Sequence, residues 1–260
     1  MKGNEKISFT GEAVAFMRAS ENEDNFSKYF VTDKIKRKFD FLDKFIPSIY
    51  LKKLFLKRIK LSRKLDELLL NYKPEQIIEL AAGYSTRGLR MTLKNKKLVY
   101  IESDFSSVMS NKRRFFKKIE SNEKIRLSKN HHLSIIDVLK DDLVKKLGKL
   151  LNKEKRTLII SETLNSYLSP EEYAHVVNQI NALAEDFDEF VYLSHQGTGM
   201  LSGILGKLLL FYRDRISKTR SYVHFSNQKE IKNYFKGKGF SNIKVITDKS
   251  VSQMFYLVKK

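Results

Sequence analysis

From Lys73 onward the chain alternates short apolar runs with amphipathic segments, and this rhythm limits its fold more than any other feature. Strands are predicted at 76–80, 97–102, 125–129, 157–162 and 189–194. Helices are predicted between them at 87–93, 106–121, 141–151 and 169–184. The last of these opens with Ser169-Pro170-Glu171-Glu172, a capping box with proline at the first helical position. Alternation of this kind builds a mostly parallel sheet with helices on both faces. Beyond it come predicted helices at 203–216 and 227–237, then strands at 240–246 and 252–258. Only a short turn separates those two strands, so they must pair antiparallel.

Residues 76–90, QIIELAAGYSTRGLR, are the corner on which a ligand would sit. Ile77 and Ile78 belong to the first strand, and Ala81-Ala82-Gly83 is a turn of two tiny side chains and one with none. Ser85 and Thr86 stand where they can cap a helix starting near Arg87. Such a turn lets backbone approach a ligand closely, beside the unpaired N–H groups of a helix N-terminus. It does not match the dinucleotide pattern G-x-G-x-x-G.

Upstream, to about Tyr72, the pattern is helical throughout. Residues 12–18 form a short amphipathic segment, 26–45 carry Phe, Tyr, Ile and Leu at helical spacing, and Pro47 interrupts. Residues 51–70 then place Leu51, Leu54, Phe55, Ile59, Leu65, Leu68 and Leu69 near one face, with Lys and Arg on the other. This reads as a helix docked on its own domain in preference to one lying on a membrane. Residues 1–72 are thus expected to form a helical N-terminal cap, part of the same domain as 73–260.

Composition narrows the surroundings. There is no cysteine, hence no disulfide, thiolate metal site or cysteine nucleophile, as suits a reducing cytoplasm. The N-terminus lacks the apolar core of a signal peptide, and the longest apolar stretch, near 208–212, is too short to span a bilayer. A cytoplasmic protein without a membrane span is expected. The formal charge of +20 would suit nucleic acid, an anionic membrane surface or an acidic protein partner, yet its lysines are spread along the chain as on solvated helix faces. Nucleic acid is therefore a possible partner but not the favoured one, and oligomeric state is left open.

In a sheet of this kind ligand residues lie at the carboxyl ends of the strands. Glu102 and Asp104, in Tyr100-Ile101-Glu102-Ser103-Asp104-Phe105, end the second strand, and an acid there can accept two hydrogen bonds from a ribose diol. Asp137-Val138 follow the third strand, where a carboxylate beside an apolar residue suits an adenine amino group and its face. Glu162 ends the fourth strand.

These segments resemble, in order and over nearly the whole chain, the class I S-adenosylmethionine-dependent methyltransferases, and within them the leucine carboxyl methyltransferase-like group that includes polyketide O-methyltransferases. Ala81-Ala82-Gly83 with Ser85-Thr86-Arg87 and Arg90 is similar to that group's first motif. Residues 100–105 are similar to its Y-x-E-x-D-[LF], and Asp137-Val138 to its D-L adenine contact. Glu162 with Tyr167-Leu168 and Ser169-Pro170-Glu171-Glu172 resembles its E-G-x-x-x-Y-L-[ST]-x-E-[EQ] run, and Phe16 to Glu21 its R-A-x-E segment. Three positions depart from the pattern: Ala81 for the first glycine, Ser85 for aspartate, and Thr163 for the glycine after the acid. Alanine fits such a turn as long as its φ stays negative.

The resemblance implies a Rossmann-like, seven-stranded methyltransferase sheet, mostly parallel with a C-terminal antiparallel hairpin, and S-adenosyl-L-methionine as cofactor. It implies that Glu79, Ala81 and Gly83 form the cofactor corner and that Arg18 adds a cation for the methionyl carboxylate. Asp104, with Glu102 as its rival, would hold the ribose; Asp137 and Val138 would hold adenine; Glu162 would lie near the amine and sulfonium. The acceptor is expected to be a small molecule or a carboxylate. A carboxylate needs no general base, whereas a phenol or alcohol would benefit from one. His195, after the fifth strand, is the candidate for that role, with Tyr167 as a second polar group. No histidine pair has metal-ligand spacing on one element, so no metal is predicted. Residues 197–212, with Gly197, Gly199, Gly203 and Gly206, are a candidate lid over the acceptor. A nucleic-acid methyltransferase and a cofactor-binding module without turnover are the alternatives.

Overall fold

A computed structural model describes residues 4–21, 24–43, 48–197 and 222–260. Three helices lead the chain: α1 (Asn4–Ser20), α2 (Asp33–Asp43) and α3 (Ser48–Asn71), with a 3-10 turn at Ser27–Phe30 between the first two. Then follow β1 (Gln76–Leu80), α4 (Arg87–Lys94), β2 (Val99–Asp104), α5 (Ser106–Glu123), β3 (His131–Ile135), α6 (Leu143–Leu147) and β4 (Thr157–Ser161). After a 3-10 turn at Leu164–Tyr167 come α7 (Pro170–Ala184), β5 (Phe190–Gly197), α8 (Gln228–Gly237), β6 (Asn242–Asp248) and β7 (Gln253–Lys259).

All seven strands form one sheet in the order β3-β2-β1-β4-β5-β7-β6. The first five run parallel, and β7 pairs antiparallel with both β5 and β6. The chain reverses its winding direction between β1 and β4, which are hydrogen-bonded neighbours, and at that switch point two diverging connections leave a crevice.

The central strands β1, β2, β4 and β5 are buried on both faces, so their side chains alternate between two cores. Ile78, Ile101, Ile159 and Tyr192 point into a core closed by α6, α7 and α8. Ile77, Tyr100, Leu158 and Val191 point into the other, which Leu61, Leu65, Leu68 and Leu69 of α3 cover. The apolar face of α3 is thus buried on the sheet, as an amphipathic helix of its own domain should be. The capping box at Ser169 forms as expected, with Glu172 N–H donating to Ser169 Oγ at 3.2 Å and Ser169 N–H to Glu172 Oε2 at 2.8 Å.

Two local expectations fail. The third strand is not 125–129 but His131–Ile135. Ile125 and Leu127 instead pack, half-buried, against the cluster around Phe116 and Ile119. The real β3 is an edge strand paired only with β2, so it never needed a continuous apolar run. The predicted helix 141–151 shrinks to α6 and a 3-10 turn at Gly148–Leu150, where Gly148 ends the α-helical stretch. The helix expected at 203–216 lies outside the described residues.

Candidate active site

A cavity of about 280 Å³ opens at the C-terminal ends of β1, β2 and β4, with α1 and α3 also contributing to its wall. Its floor is the turn after β1. Ala81 and Gly83 both adopt φ +51°, the left-handed region. Ala81 therefore does not keep the negative φ expected of it, and its Cβ crowds the next carbonyl at a cost of roughly 1–2 kcal/mol.

Asp104 fixes that turn. Its Oδ2 accepts the Gly83 N–H at 2.7 Å, and its Oδ1 accepts the Phe105 N–H at 2.7 Å. Burial pushes the Asp104 carboxyl above its ordinary range, while those two N–H groups pull the other way. Lys112, fully buried on α5, donates to the Gly83 carbonyl at 3.0 Å and also pairs with Glu102. Glu102 takes His131 Nε2 at 3.0 Å on its other oxygen. Burial alone would raise the Glu102 carboxyl, but Lys112 and His131 hold it below the usual value. So of the two acids weighed for the ribose, Asp104 lines the cavity, whereas Glu102 is turned beneath α4 and α5. Gly88 of α4 sits hard against it, since an added Cβ would come within 2.3 Å of Glu102 Oε1.

The helix start after the turn is less open than expected. The Arg87 N–H goes to Ser85 Oγ at 3.2 Å. Thr86 makes no side-chain cap, because its hydroxyl donates instead to Asp24 at 2.8 Å.

Charge concentrates on the other wall. Glu162 Oε1 accepts from Arg58 at 2.6 Å, and its Oε2 accepts from Arg87 at 2.6 Å and Arg18 at 3.5 Å. Burial would raise the Glu162 carboxyl, yet the three guanidinium groups hold it far below the carboxylate range. Arg87 has no solvent exposure and also pairs with Asp66 and Glu79. Glu79 accepts the Tyr100 hydroxyl at 2.7 Å. Burial, with Glu102 nearby, raises its carboxyl in spite of Arg87. Arg18, Arg58, Glu79 and Glu162 all reach the cavity wall. Arg58 Nε is buried there and has no hydrogen-bond partner among the described residues.

Arg58 is the residue that sequence reasoning missed. It belongs to a polar stripe on α3, Arg58-Ser62-Asp66, whose spacing of four keeps all three on one helix face. Ser62 Oγ accepts from Arg18 at 2.7 Å and from Arg87 at 3.2 Å, and Asp66 pairs with Arg87 and Arg90. In the sequence these are only polar residues at spacing four beside an apolar stripe, which does not by itself tell a site from a solvated face.

Asp137 and Val138 line the cavity on a third side, Asp137 with its Oδ1 accepting the Leu139 N–H at 3.1 Å. Tyr167, half-buried, faces it from the 3-10 turn after β4. His195 is not among the lining residues. It is buried on β5, with Nδ1 2.8 Å from Gln253 Oε1 and the Glu162 backbone beside the ring. Burial, helped by the Arg58 charge, brings it down to about 4, so it is neutral at physiological pH. Of the segment expected to form a lid, only Gly197 lies within the described residues. Among these residues no helix is long and apolar enough to cross a membrane.

Residues 12–181 match the sequence profile of the leucine carboxyl methyltransferase family. No curated protein matches the chain by sequence. Solved structures share the fold at low identity. A DUF574 family protein from Streptomyces avermitilis MA-4680 is 9% identical with a TM-score of 0.60, the match covering 96% of this chain and 97% of that one. A protein from Thermobifida fusca YX, described provisionally as a methyltransferase, is 15% identical with a TM-score of 0.59, covering 88% and 89%. PigF, solved with S-adenosylhomocysteine, is 11% identical with a TM-score of 0.52, covering 80% and 59%. The chain spans 58% to 60% of the length of that and several other matched structures.

Proposed function

The chain belongs to the leucine carboxyl methyltransferase family, and we propose on that premise that it moves a methyl group from S-adenosylmethionine to an oxygen of a small-molecule or carboxylate acceptor. The observation that carries this reading is convergence: four separated segments, ending at Gly83, Asp104, Asp137 and Glu162, meet on one cavity. The cavity's donor set also fits the cofactor. The orphaned Arg58 Nε suits a carboxylate oxygen, and Arg18 stands beside it with the same charge. Asp104 and Asp137 offer acceptors for hydroxyl and amino groups.

When bound, S-adenosylmethionine presents its methyl on a sulfonium, which is already an excellent leaving group. The protein's task is then to align an acceptor oxygen with the methyl and sulfur, and to exclude water. Glu162 stays ionised because three arginines hold it so, and it would supply a fixed anion to the cofactor's cationic centre. Gly83 and Asp104 hold the turn against which the nucleoside would rest. For an acceptor with a hydroxyl, His195 is proposed as proton acceptor. If Nδ1–H donates to Gln253, Nε2 is the nitrogen that would take the proton, a tautomer inferred from the hydrogen bond. Tyr167 would orient the acceptor. A carboxylate acceptor would need neither.

Calorimetric titration with S-adenosylhomocysteine tests the cofactor, and binding at micromolar Kd is expected. Absence of heat with both S-adenosylhomocysteine and S-adenosylmethionine would sink the proposal. Transfer of labelled methyl into a panel of carboxylates, phenols and alcohols then sorts the acceptors, with His195→Asn slowing only the last two.

A further inference from the structure

A second cavity, of about 500 Å³, lies at the opposite edge of the sheet. Its walls come from the residues leading into β1, β2 and β4, the N-terminal ends of the strands, together with the ends of α3 and α4. This is the end of a doubly wound sheet where ligands are not ordinarily bound, so the cofactor site does not account for it.

Six cations line it, Lys73, Arg90, Lys94, Lys97, Lys155 and Arg156, against two carboxylates, Asp66 and Glu75. The carboxylates are already committed. Glu75 is shared between Lys155 at 3.5 Å and Arg156 at 3.9 Å, and Asp66 between Arg90 and Arg87. Lys73, Lys94 and Lys97 are exposed, and among the described residues their amines have no carboxylate partner. Three like charges around one concavity repel each other and gain from a shared anion. The floor beneath them is apolar: Leu69, Ile77 and Leu98 are buried, while Leu70 at the rim is 57% exposed. A volume of this order is typical of small-molecule sites.

We propose that this cavity binds a phosphate ester of nucleotide size, its phosphates on the unpaired lysines and its apolar or planar body on Leu70 and the floor. Lysine amines act as mobile point charges and suit clustered phosphate oxygens. An apolar floor adds affinity that inorganic phosphate cannot collect. The site would also give a local role to part of the +20 charge that the catalytic cavity leaves unused.

The probe is ATP, titrated calorimetrically into the full chain at low salt, with inorganic tripolyphosphate and adenosine as partial ligands. Two variants localise the binding. Lys73 adopts φ +51°, where glycine is at ease, so Lys73→Gly removes a cation without a folding cost; Lys97→Gln is a surface change. The double variant should weaken ATP by more than about tenfold, roughly 1.4 kcal/mol, while leaving S-adenosylhomocysteine affinity within twofold. ATP should also exceed both tripolyphosphate and adenosine by at least tenfold. The proposal is overturned if ATP fails to bind, or binds equally well to the double variant. It is likewise overturned if tripolyphosphate matches ATP, or if a single-stranded RNA homopolymer displaces ATP with a steep salt dependence, which would assign the surface to nucleic acid. The ATP arm does not depend on whether the catalytic cavity takes S-adenosylhomocysteine, so the two proposals fail separately.

Discussion

Ala81 and Arg87 stand at the two ends of one short turn, and each makes a definite claim about energy. Ala81 carries a side chain at φ +51° in the floor of the cavity at the strand ends. Ala81→Gly should therefore raise stability to urea by about 1 kcal/mol, the relief of left-handed strain outweighing the added freedom of glycine in the unfolded chain. A fall in stability would show that the turn is not strained. Arg87 is the only cation shared by Asp66, Glu79 and Glu162 among the described residues. Arg87→Met should cost about 3–5 kcal/mol at neutral pH, since it strands buried carboxylates. The sign with pH follows from their shifts. Asp66 and Glu162 are held below their ordinary values, so their contribution is complete above the normal carboxylate range and is lost as pH falls through the folded values. Arg58 and Arg18 stay on Glu162 and Arg90 on Asp66, so loss of Arg87 removes part of that contribution, and the deficit against the unmodified protein should shrink in acid. Urea midpoints measured from pH 7 down to the acid limit decide it.

At the scale of elements, α3 does two jobs with one face. Leu61, Leu65 and Leu68 bury against the sheet, while Arg58, Ser62 and Asp66 reach the charge cluster. Arg58→Met should lower S-adenosylhomocysteine affinity more than about tenfold with a smaller effect on stability, because Arg87 and Arg18 remain on Glu162. Unchanged affinity would remove Arg58 from the site. The same division explains what could be read in advance. β1 was legible to the residue, because QIIEL is buried on both faces and bounded by a lysine-proline step and a small-residue turn. β3 was not, because HHLSI lies on the sheet's edge and carries no apolar run. The acids at the strand ends were readable because the topology assigns strand ends to ligands. Which of Glu102 and Asp104 reached the cavity was not, since Lys112 and His131, distant in sequence, turn Glu102 away. Arg58 stayed hidden for a like reason: only the tertiary position of α3 tells a buried arginine from a solvated one.

For the molecule as a whole, the +20 charge acts on the folded state through self-repulsion. Raising ionic strength from about 0.01 M to about 0.15 M shortens the screening length from roughly 30 Å to roughly 8 Å. The thermal midpoint should rise by about 2–4 °C, the effect of roughly 1 kcal/mol in a chain of this size. A midpoint that falls with added salt would mean that surface ion pairs outweigh the repulsion. The order of strands has a consequence of its own. β7 lies between β5 and β6 although it follows both in sequence. During synthesis on the ribosome, the parallel strands can assemble as they emerge, but the outer edge of β5 has no neighbour until residues 253–259 arrive. That edge is an open template for pairing with other chains. A nascent chain arrested between β5 and β7 would present a formed strand-end cavity joined to an adhesive flank, making it a natural client for chaperones.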